Sequence, residues 1–350
     1  MSKIGDLLRK HLNFFVPYST ARDDFKGDRG IFLDANENAL GSVISENWNR
    51  YPDPRQSHLK QVMGKIKGIA PECIFMGNGS DEPIDLLIRA FCEPGIDEVM
   101  IFPPTYGMYK VAANINNVSV NEVLLTQDFQ LDMTQIKSAL NDHVKIIFIC
   151  SPNNPTGNLI QVQDIWDLAT VFKGIIVIDE AYIDFTDTPS WIEVLSNFPH
   201  LVVLQTLSKA WGLASLRLGM AFCHPKIVDV LNLIKPPYNI SGPVQNHVLK
   251  ALKQEDQMRL FVEDIKELKK ELGLALEQLP IVLKVYPSEA NFFLVKFKEV
   301  QEVFQYLIRN EIILRNRSGL VLCEDCIRIT VGTAFENKQL ILTLKNYLKI

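Results

Sequence analysis

Short apolar segments alternate with helix-like segments between residues 70 and 225, and this alternation limits the possible folds more than any other feature of the sequence. The apolar segments begin near residues 74, 98, 144, 174, 201 and 218. The segment over residues 144–150 is an apolar run of the kind found in parallel strands that are covered on both faces. Strands that alternate with helices predict a mostly parallel sheet with helices on both sides, which is the α/β class.

The domain organisation follows from the length and from a change of character late in the chain. A length of 350 residues exceeds that of a typical single small domain. After Pro236 and Pro237 come long helical stretches with paired charges, and from residue 281 strands and helices alternate again. We predict an N-terminal arm over residues 1–35, a large domain over residues 36–240 and a smaller α+β domain over residues 241–350. A short strand is also predicted over Ile31–Asn36, where an apolar run meets polar residues.

The composition excludes several classes of partner. A net charge of −5 with 22% charged residues describes an ordinary globular protein without the basic patch that nucleic acid requires. The longest apolar runs fall well short of the ~20 residues that a membrane span needs. The first residues are charged and lack the apolar core of a signal peptide. These features predict a cytoplasmic protein that binds neither nucleic acid nor membrane.

The six cysteines are scattered along the chain, and most of them lie in apolar surroundings. Such cysteines are typical of reduced, buried thiols in the cytoplasm. Cys323 and Cys326 form one CxxC motif, but neither a second pair nor nearby histidines follow it. The motif therefore predicts a hairpin turn rather than a metal site, and no metal is expected.

The segment over residues 201–219, LVVLQTLSKAWGLASLRLG, is the strongest candidate for the reactive centre. Its apolar start predicts a strand that delivers Ser208 and Lys209 into a cleft. Burial disfavours the charged form of lysine, and the neutral amine is the form that makes a Schiff base. Ser208 and Arg217 would then bind an anion, because arginine offers a planar pair of donors that suits phosphate. From these residues alone, a surface lysine and an arginine in an ordinary ion pair remain open alternatives.

Polar and aromatic side chains also follow three of the other predicted strands. They are Tyr106, Asn154, Asp179 and Tyr182. Because ligands of open α/β sheets lie at the carboxyl ends of the strands, we expect these side chains to meet at one edge of the sheet. An aromatic ring such as Tyr106 suits stacking on a flat ligand, and Asp179 suits pairing with a cationic ring nitrogen. The alternative role of Asp179 is a helix cap.

Ser80 and Asp81 stand at a predicted helix start, directly after a strand and the glycine-containing segment GNG. Backbone amides at the start of a helix converge on anions, and the helix dipole assists. This pattern predicts an anion site at Ser80 and Asp81. The alternative is plain capping, in which one of the two side chains satisfies the free N–H groups of the helix.

Five further candidates lie in segments whose role the sequence leaves open. Tyr51 lies on a stiff loop between prolines that could present it to a neighbouring subunit, although a solvated loop is the alternative. Asn36 ends an apolar run, where a local turn is the alternative. Tyr18 either packs as an aromatic or reaches into a site. Arg315 and Arg328 lie in strand-like runs and need an anionic partner, either a structural carboxylate or the substrate.

Taken together, these segments resemble a known family. The motifs SPNNPTG, DEAY and TLSKAWGLASLRLG, in this order and at these separations, resemble those of the fold-type-I pyridoxal-phosphate aminotransferases. RYPDP, GNGSDE, PPTYGMY, ILRNR and CIRITVGT are similar to segments of the histidinol-phosphate aminotransferases within that family. The resemblance covers nearly the whole chain and implies the fold-type-I architecture of a large domain with a mostly parallel sheet and a smaller α+β domain. The chain departs from the family pattern at Trp211, where phenylalanine is usual, and in its short opening arm.

The resemblance implies roles for five residues around the ring of the cofactor pyridoxal 5′-phosphate. Lys209 binds the cofactor covalently and carries the proton between substrate and cofactor. Asp179 keeps the ring nitrogen protonated, so that the ring withdraws electrons. Tyr182 and Asn154 hydrogen-bond the 3′ oxygen, and Tyr106 stacks on the ring.

The resemblance also implies which residues bind the cofactor phosphate and the substrate. The cofactor phosphate is bound by Ser80, Asp81, Ser208, Arg217 and, from the other subunit, Tyr51. A residue shared between subunits implies an obligate homodimer. The phosphate or carboxylate of the substrate meets Arg315 and Arg328, with Tyr18, Asn36 and Asn154 nearby.

The implied reaction is a ping-pong transfer of an amino group between L-histidinol phosphate and 2-oxoglutarate, a step of histidine biosynthesis that gives imidazole acetol phosphate and glutamate. An aromatic amino acid aminotransferase or a decarboxylase of a phosphorylated amino acid is the alternative within the same family, since the two arginines suit any doubly anionic substrate. A cofactor-sensing, DNA-binding regulator is disfavoured, because the residues before position 74 contain no basic helix pair.

Overall fold

The computed structural model describes residues 4–16 and 30–349, and Tyr18 lies outside these ranges. A seven-stranded sheet lies at the centre of the larger part of residues 30–349. Its strands are β1 (Ile74–Asn78), β2 (Glu98–Ile101), β3 (Ser119–Glu122), β4 (Val144–Cys150), β5 (Ile175–Asp179), β6 (Leu201–Thr206) and β7 (Leu218–Cys223). They are ordered β1-β7-β6-β5-β4-β2-β3, and only β7 runs antiparallel to its two neighbours. The predicted mostly parallel sheet is therefore confirmed.

Helices within the described ranges cover both faces of this sheet and continue into the C-terminal part. They are α1 (Ile4–Leu7), α2 (Ser57–Lys67), α3 (Asp81–Phe91), α4 (Met108–Ile115), α5 (Met133–Ala139), α6 (Val162–Val171), α7 (Pro225–Ile234), α8 (Gly242–Ala251), α9 (Glu255–Glu277), α10 (Val300–Arg309) and α11 (Ala334–Leu348). Short 3-10 turns lie at Lys10–Phe14, Pro71–Cys73, Ile183–Phe185, Trp191–Asn197, Ala214–Leu216 and Leu252–Gln254.

Strand β4 shows why the central strands are apolar along their length. Alternate side chains of a strand point to opposite faces. Ile147 and Ile149 enter the core that contains residues of α2, α5, α6 and α8, whereas Ile146 and Phe148 enter the core built with α3, α4 and α7. Because both faces are covered, a polar residue on either face would lose its contact with water.

A second sheet lies in the C-terminal part of the described chain. Its strands are β8 (Val282–Val285), β9 (Phe292–Phe297), β10 (Arg315–Asn316) and β11 (Cys326–Thr330). The order is β10-β11-β9-β8, and all neighbours are antiparallel. One face packs on α9, α10 and α11, while Phe292, Leu294 and Cys326 on the other face join the larger core. This packing brings β10 and β11 next to the central sheet.

Two predictions about strands differ from the structure. The strand predicted over Ile31–Asn36 is wrong, because this segment pairs with no strand among the described residues and leaves Ile31 and Leu33 exposed. Strand β3 was not predicted. It is a short edge strand with the sequence SVNE, and its exposed and half-buried side chains give no apolar pattern to detect.

The predicted limits of the three domains stay a prediction. Val248 and Leu252, just after the predicted boundary at residue 240, lie in the larger core. The predicted turn at the CxxC motif is present, since the N–H of Cys326 donates to the carbonyl of Cys323 at 3.0 Å. All six cysteines are free thiols. No helix in residues 4–16 or 30–349 is long and apolar enough to cross a lipid bilayer.

Candidate active site

A cavity of about 380 Å³ opens where the carboxyl ends of β1, β2, β4, β5 and β6 meet the second sheet. Eleven of the predicted site residues line it. They are Ser80, Asp81, Tyr106, Asn154, Asp179, Tyr182, Ser208, Lys209, Arg217, Arg315 and Arg328. Gly79, Cys150, Ala181, Thr206 and Arg317 complete the lining. The structure thus brings these side chains together at one edge of the sheet, while the role of each remains a prediction.

Lys209 lies in the turn that follows β6. Its side chain is reached from the cavity, and its Nζ lies 5.6 Å from the ring centre of Tyr182. Partial burial lowers the pKa of Lys209, and the positive charge of Arg328 acts in the same direction, whereas Asp179 opposes them. The environment therefore favours the neutral amine relative to a lysine in water.

Asp179 ends β5 and is only 2% exposed. The hydroxyl of Tyr109 donates to its Oδ2 at 2.8 Å, and the N–H of Ala181 donates to its Oδ1 at 3.1 Å. Burial raises the pKa of Asp179 to about 6, although both hydrogen bonds act in the opposite direction. The Ala181 contact closes a local turn after β5 and is not the helix cap that the sequence left open, because the 3-10 turn Ile183–Phe185 begins after Tyr182. The Tyr109 contact fixes the other oxygen at the base of the cavity.

Sequence reasoning missed Tyr109. This tyrosine is fully buried in the first turn of α4, and its ring stacks on Phe148 at 4.8 Å between ring centres. The available signal was its position three residues after Tyr106 in PPTYGMY, a spacing that places both rings on one side of a helix start. The two rings do contact each other edge to face, at 5.5 Å.

The neighbouring carboxylate, Glu180, belongs to a structural network outside the cavity. Its oxygens accept hydrogen bonds from the Ser190 hydroxyl at 2.5 Å, the Trp191 N–H at 2.8 Å and the Gln205 amide at 2.8 Å. Burial raises the pKa of Glu180 to about 7. These bonds hold the segment after β5 in place and so help to position Asp179.

The start of α3 and Arg217 lie together in the cavity lining and form a cradle, which is the predicted anion site. Ser80 precedes the helix, but its side chain makes no capping hydrogen bond. Plain capping by Ser80, the alternative that the sequence left open, is therefore absent. Arg217 adopts a left-handed backbone conformation with φ 52°, and its Nη2 donates to Asp81 Oδ2 at 3.3 Å. A Cβ at Gly219 would lie 2.3 Å from the backbone of Gly79, so only glycine permits this approach of β7 to the helix start.

Two further hydroxyls face the cradle. The hydroxyl oxygens of Thr206 and Ser208 lie 3.0 Å apart, and the Thr206 hydroxyl can also donate to the Leu218 carbonyl at 3.3 Å. The Tyr106 hydroxyl donates to Asp81 Oδ1 at 3.0 Å. Burial and the Asp81 carboxylate raise the pKa of Tyr106 above its usual range, so it stays a neutral hydroxyl.

Asn154 connects the central sheet to the second sheet. Its Oδ1 accepts a hydrogen bond from Arg328 Nη1 at 2.5 Å. The adjacent Asn153 is buried and holds the loops after β2 and β4 together, because its amide donates to the Pro104 carbonyl at 2.8 Å and its Oδ1 accepts from the Thr105 hydroxyl at 3.0 Å. The Asn154 side chain is therefore presented from a rigid turn.

Two predicted residues, Asn36 and Tyr51, do not line this cavity. Tyr18 lies outside the described residues. Asn36 is exposed and has a positive φ of 55°. Tyr51 is half exposed and stacks on Tyr238, with 4.4 Å between ring centres. Within a single chain, Asn36 and Tyr51 do not line the cavity.

No group of three or more His, Cys, Asp or Glu residues in the described part of the chain is arranged to hold a metal ion. The side chains that converge on the cavity are instead an amine, carboxylates, hydroxyls and guanidinium groups. This set can bind an anionic organic ligand and can exchange protons at Lys209.

Comparison with known proteins agrees with this site. The chain matches the family model described as aminotransferase class I and II over residues 24–344. A histidinol-phosphate aminotransferase of Cytophaga hutchinsonii is 51% identical over 344 residues, covering 98% of this chain and 99% of the relative. One from Parabacteroides distasonis is 47% identical over 346 residues, covering 99% of each chain.

A solved structure gives the same fold. The histidinol-phosphate aminotransferase from Sinorhizobium meliloti, in complex with pyridoxal-5′-phosphate, matches with a TM-score of 0.80 and 21% identity. The match covers 90% of this chain and 89% of that one.

Proposed function

The chain belongs to the aminotransferase class I and II family, and we propose that it transfers an amino group between L-histidinol phosphate and 2-oxoglutarate with pyridoxal 5′-phosphate as its cofactor. The products are imidazole acetol phosphate and glutamate, and the reaction belongs to histidine biosynthesis. One observation carries the proposal. A partly buried lysine, a buried carboxylate and an arginine beside an open helix start line one cavity at the carboxyl edge of the sheet.

The residues in the cavity fit this cofactor. An aldehyde carbon would bind to Lys209, whose lowered pKa favours the reactive amine. A cationic ring nitrogen would offset the buried negative charge of Asp179. The phosphate group would be held in the cradle at the start of α3 by backbone N–H groups, Ser208 and Arg217. Asn154, Tyr182 and Tyr106 would hold and cover the ring from the remaining sides.

The cofactor supplies one kind of chemistry, the stabilisation of negative charge at the substrate carbon that loses its proton. The protein supplies the proton transfer and the orientation. Lys209 Nζ would take the proton from the substrate Cα and deliver it to the carbon of the cofactor that carried the aldehyde, and in the second half-reaction it would move a proton in the opposite direction. Asp179, oriented by Tyr109 and Ala181, holds the ring in one orientation against that amine. Arg328, which donates a hydrogen bond to Asn154, would bind the anionic group of the substrate.

A homodimer and a cytoplasmic location complete the proposal. Several large apolar side chains between residues 31 and 51 are exposed, including Leu33 at 84%, Leu40 at 99% and Val43 at 102%. An apolar surface of this kind supports burial against a second copy of the chain. Tyr51 lies in the same segment, which supports its predicted contribution to the neighbouring site. Six free cysteines support a reducing compartment.

The deciding experiment compares substrates of the cofactor-loaded protein. We expect amino transfer from glutamate to imidazole acetol phosphate with a kcat/KM about 100-fold or more above that for phenylpyruvate. Phenylpyruvate lacks the phosphate, so the arginines of the cavity would lose solvent without gaining an anionic partner. A preference for phenylpyruvate would overturn the substrate assignment. Release of carbon dioxide from a phosphorylated amino acid would indicate a decarboxylase instead.

A further inference from the structure

Three arginines lie on one face of the second sheet at the rim of the cavity. In the β10–β11 pair, Arg315 lies directly opposite Arg328. Arg317 follows two residues after Arg315, and alternate residues of an extended segment share a face. All three line the cavity. Like charges placed directly opposite each other destabilise a strand pair, so this arrangement calls for an anion.

The described residues do not supply that anion. The carboxylates that line the cavity are Asp81 and Asp179, and each is engaged elsewhere by the hydrogen bonds described above. No carboxylate in residues 4–16 or 30–349 forms an ion pair with Arg315, Arg317 or Arg328. A negatively charged ligand bound in the cavity would supply that negative charge.

Among the three arginines, Arg317 is the strongest candidate to bind a ligand. Its Nε is buried and has no hydrogen-bond partner in the described part of the chain. A buried guanidinium N–H without a partner is costly, and an anion bound in the cavity would satisfy it. Burial and the charges of Arg328 and Arg315 lower the pKa of Arg317 to about 10.

The backbone around Arg317 is fixed, which positions its side chain before any ligand arrives. Its N–H donates to the Cys326 carbonyl at 2.9 Å, and its carbonyl accepts from the Leu320 N–H at 2.9 Å. The side chain of Asn316 caps the same turn by accepting from the Ser318 N–H at 2.9 Å. A preorganised donor binds an anion with less loss of conformational entropy.

Arg328 differs because the protein already holds it. Its Nη1 donates to Asn154, and its guanidinium lies over the ring of Phe292 at 5.3 Å. Arg328 is therefore directed towards the inner part of the cavity near Asn154. Arg317 lies in the same cavity lining, two residues after the exposed Arg315.

We infer that Arg317 determines substrate specificity by binding the phosphate monoester of the amino substrate. A phosphate dianion offers three oxygens, and the planar donors of arginine bind two of them at once. The cluster of three positive charges matches a dianion better than a single carboxylate. This inference rests on the proposed function, because it names a residue that selects the phosphorylated substrate of the same site.

The test uses the cofactor-loaded Arg317→Gln variant and measures the two half-reactions separately. For L-histidinol phosphate we expect kcat/KM to fall about 10- to 100-fold, the loss expected when a charge-assisted hydrogen bond is removed. For glutamate, which carries no phosphate, we expect a change below about 3-fold. An equal loss with both substrates, a larger loss with glutamate, or no loss with either would overturn the inference.

Two further variants control the test. Arg317→Lys keeps the charge but not the planar pair of donors, and it should show an intermediate loss with L-histidinol phosphate. Arg309→Gln removes one charge from the exposed end of α10, away from the cavity lining, and should behave as wild type. A wild-type protein that does not turn over L-histidinol phosphate would refute the proposed function itself.

Arg317 is still tested in that case, with inorganic phosphate as the probe. Phosphate should inhibit the glutamate half-reaction of the wild type at a concentration about 10-fold lower than is needed for Arg317→Gln. Equal inhibition of the two proteins would refute phosphate binding by Arg317.

Discussion

Removing one hydroxyl group, by the substitution Tyr109→Phe, should change how tightly the cofactor binds and at which pH. The Tyr109 hydroxyl donates to Asp179 Oδ2 at 2.8 Å inside the core, where water cannot replace it. A hydrogen bond to a charged group contributes about 1.5–3 kcal/mol, which corresponds to a change of about 1 to 2 in the pKa of the acceptor. Burial has already raised the pKa of Asp179 to about 6. In the variant, Asp179 should therefore stay protonated through neutral pH.

A protonated Asp179 cannot offset a cationic ring nitrogen. We expect the affinity of Tyr109→Phe for pyridoxal 5′-phosphate to fall about 10- to 100-fold at pH 7. The acid limb of the binding curve should move up by about 1 to 2 pH units. The assay is equilibrium titration of the cofactor-free protein with cofactor between pH 5 and 9, followed by visible absorbance.

Tyr347→Phe is a matched control, because it also removes a tyrosine hydroxyl that donates to a carboxylate. Tyr347 donates to Glu299 at 3.1 Å, and Glu299 does not line the cavity. This control should bind cofactor as the wild type does. An acid limb for Tyr109→Phe that coincides with that of the wild type would refute the account of how Asp179 is positioned.

Three other predictions concern the cradle, the dimer and the buried carboxylates. Gly219→Ala places a methyl group 2.3 Å from the backbone before α3. The substitution should lower the unfolding free energy by about 1–3 kcal/mol in denaturation and, by displacing Arg217, weaken cofactor retention in dialysis. Unchanged values would contradict the close approach of β7 to the helix start. Equal mixing of Lys209→Ala and Tyr51→Phe chains should regain about a quarter of wild-type activity, because each mixed dimer contains one intact site; no regain would contradict the shared site. Burial raises the pKa of Glu180 to about 7, so the contribution of Glu180 to the unfolding free energy falls as the pH rises from about 4 to 7. In urea titrations over this range, the unfolding free energy of Glu180→Gln should fall by roughly 3 kcal/mol less than that of the wild type.

The sheet and most of the site could be predicted because their physical signals are local in sequence. Each central strand is buried on both faces, so it appears in the sequence as an apolar run. The residues that follow the parallel strands lie at the same edge of the sheet. Lys209, Asp179 and Asn154 were found in this way. Strand β3 gave no such signal because it is half exposed at the edge of the sheet.

The remaining parts of the site depend on contacts between distant segments. Tyr109 lies in a helix, and only the packing of α4 on β4 and β5 brings its hydroxyl to Asp179. Arg317 lies in a turn of the second sheet, and its role becomes visible only when β10 is placed opposite β11 at the cavity. The apolar residues near position 31 predicted a strand because an exposed apolar surface and a buried strand have the same pattern.

Borohydride reduction of the cofactor-loaded protein tests the central claim most directly. Reduction fixes the bound cofactor covalently to the amine that holds it, and peptide mass analysis then locates it. The account predicts that the added mass lies on the peptide that contains Lys209 and is absent from Lys209→Ala. Cofactor mass on a different lysine, or no added mass in a protein that still transfers amino groups, would contradict it.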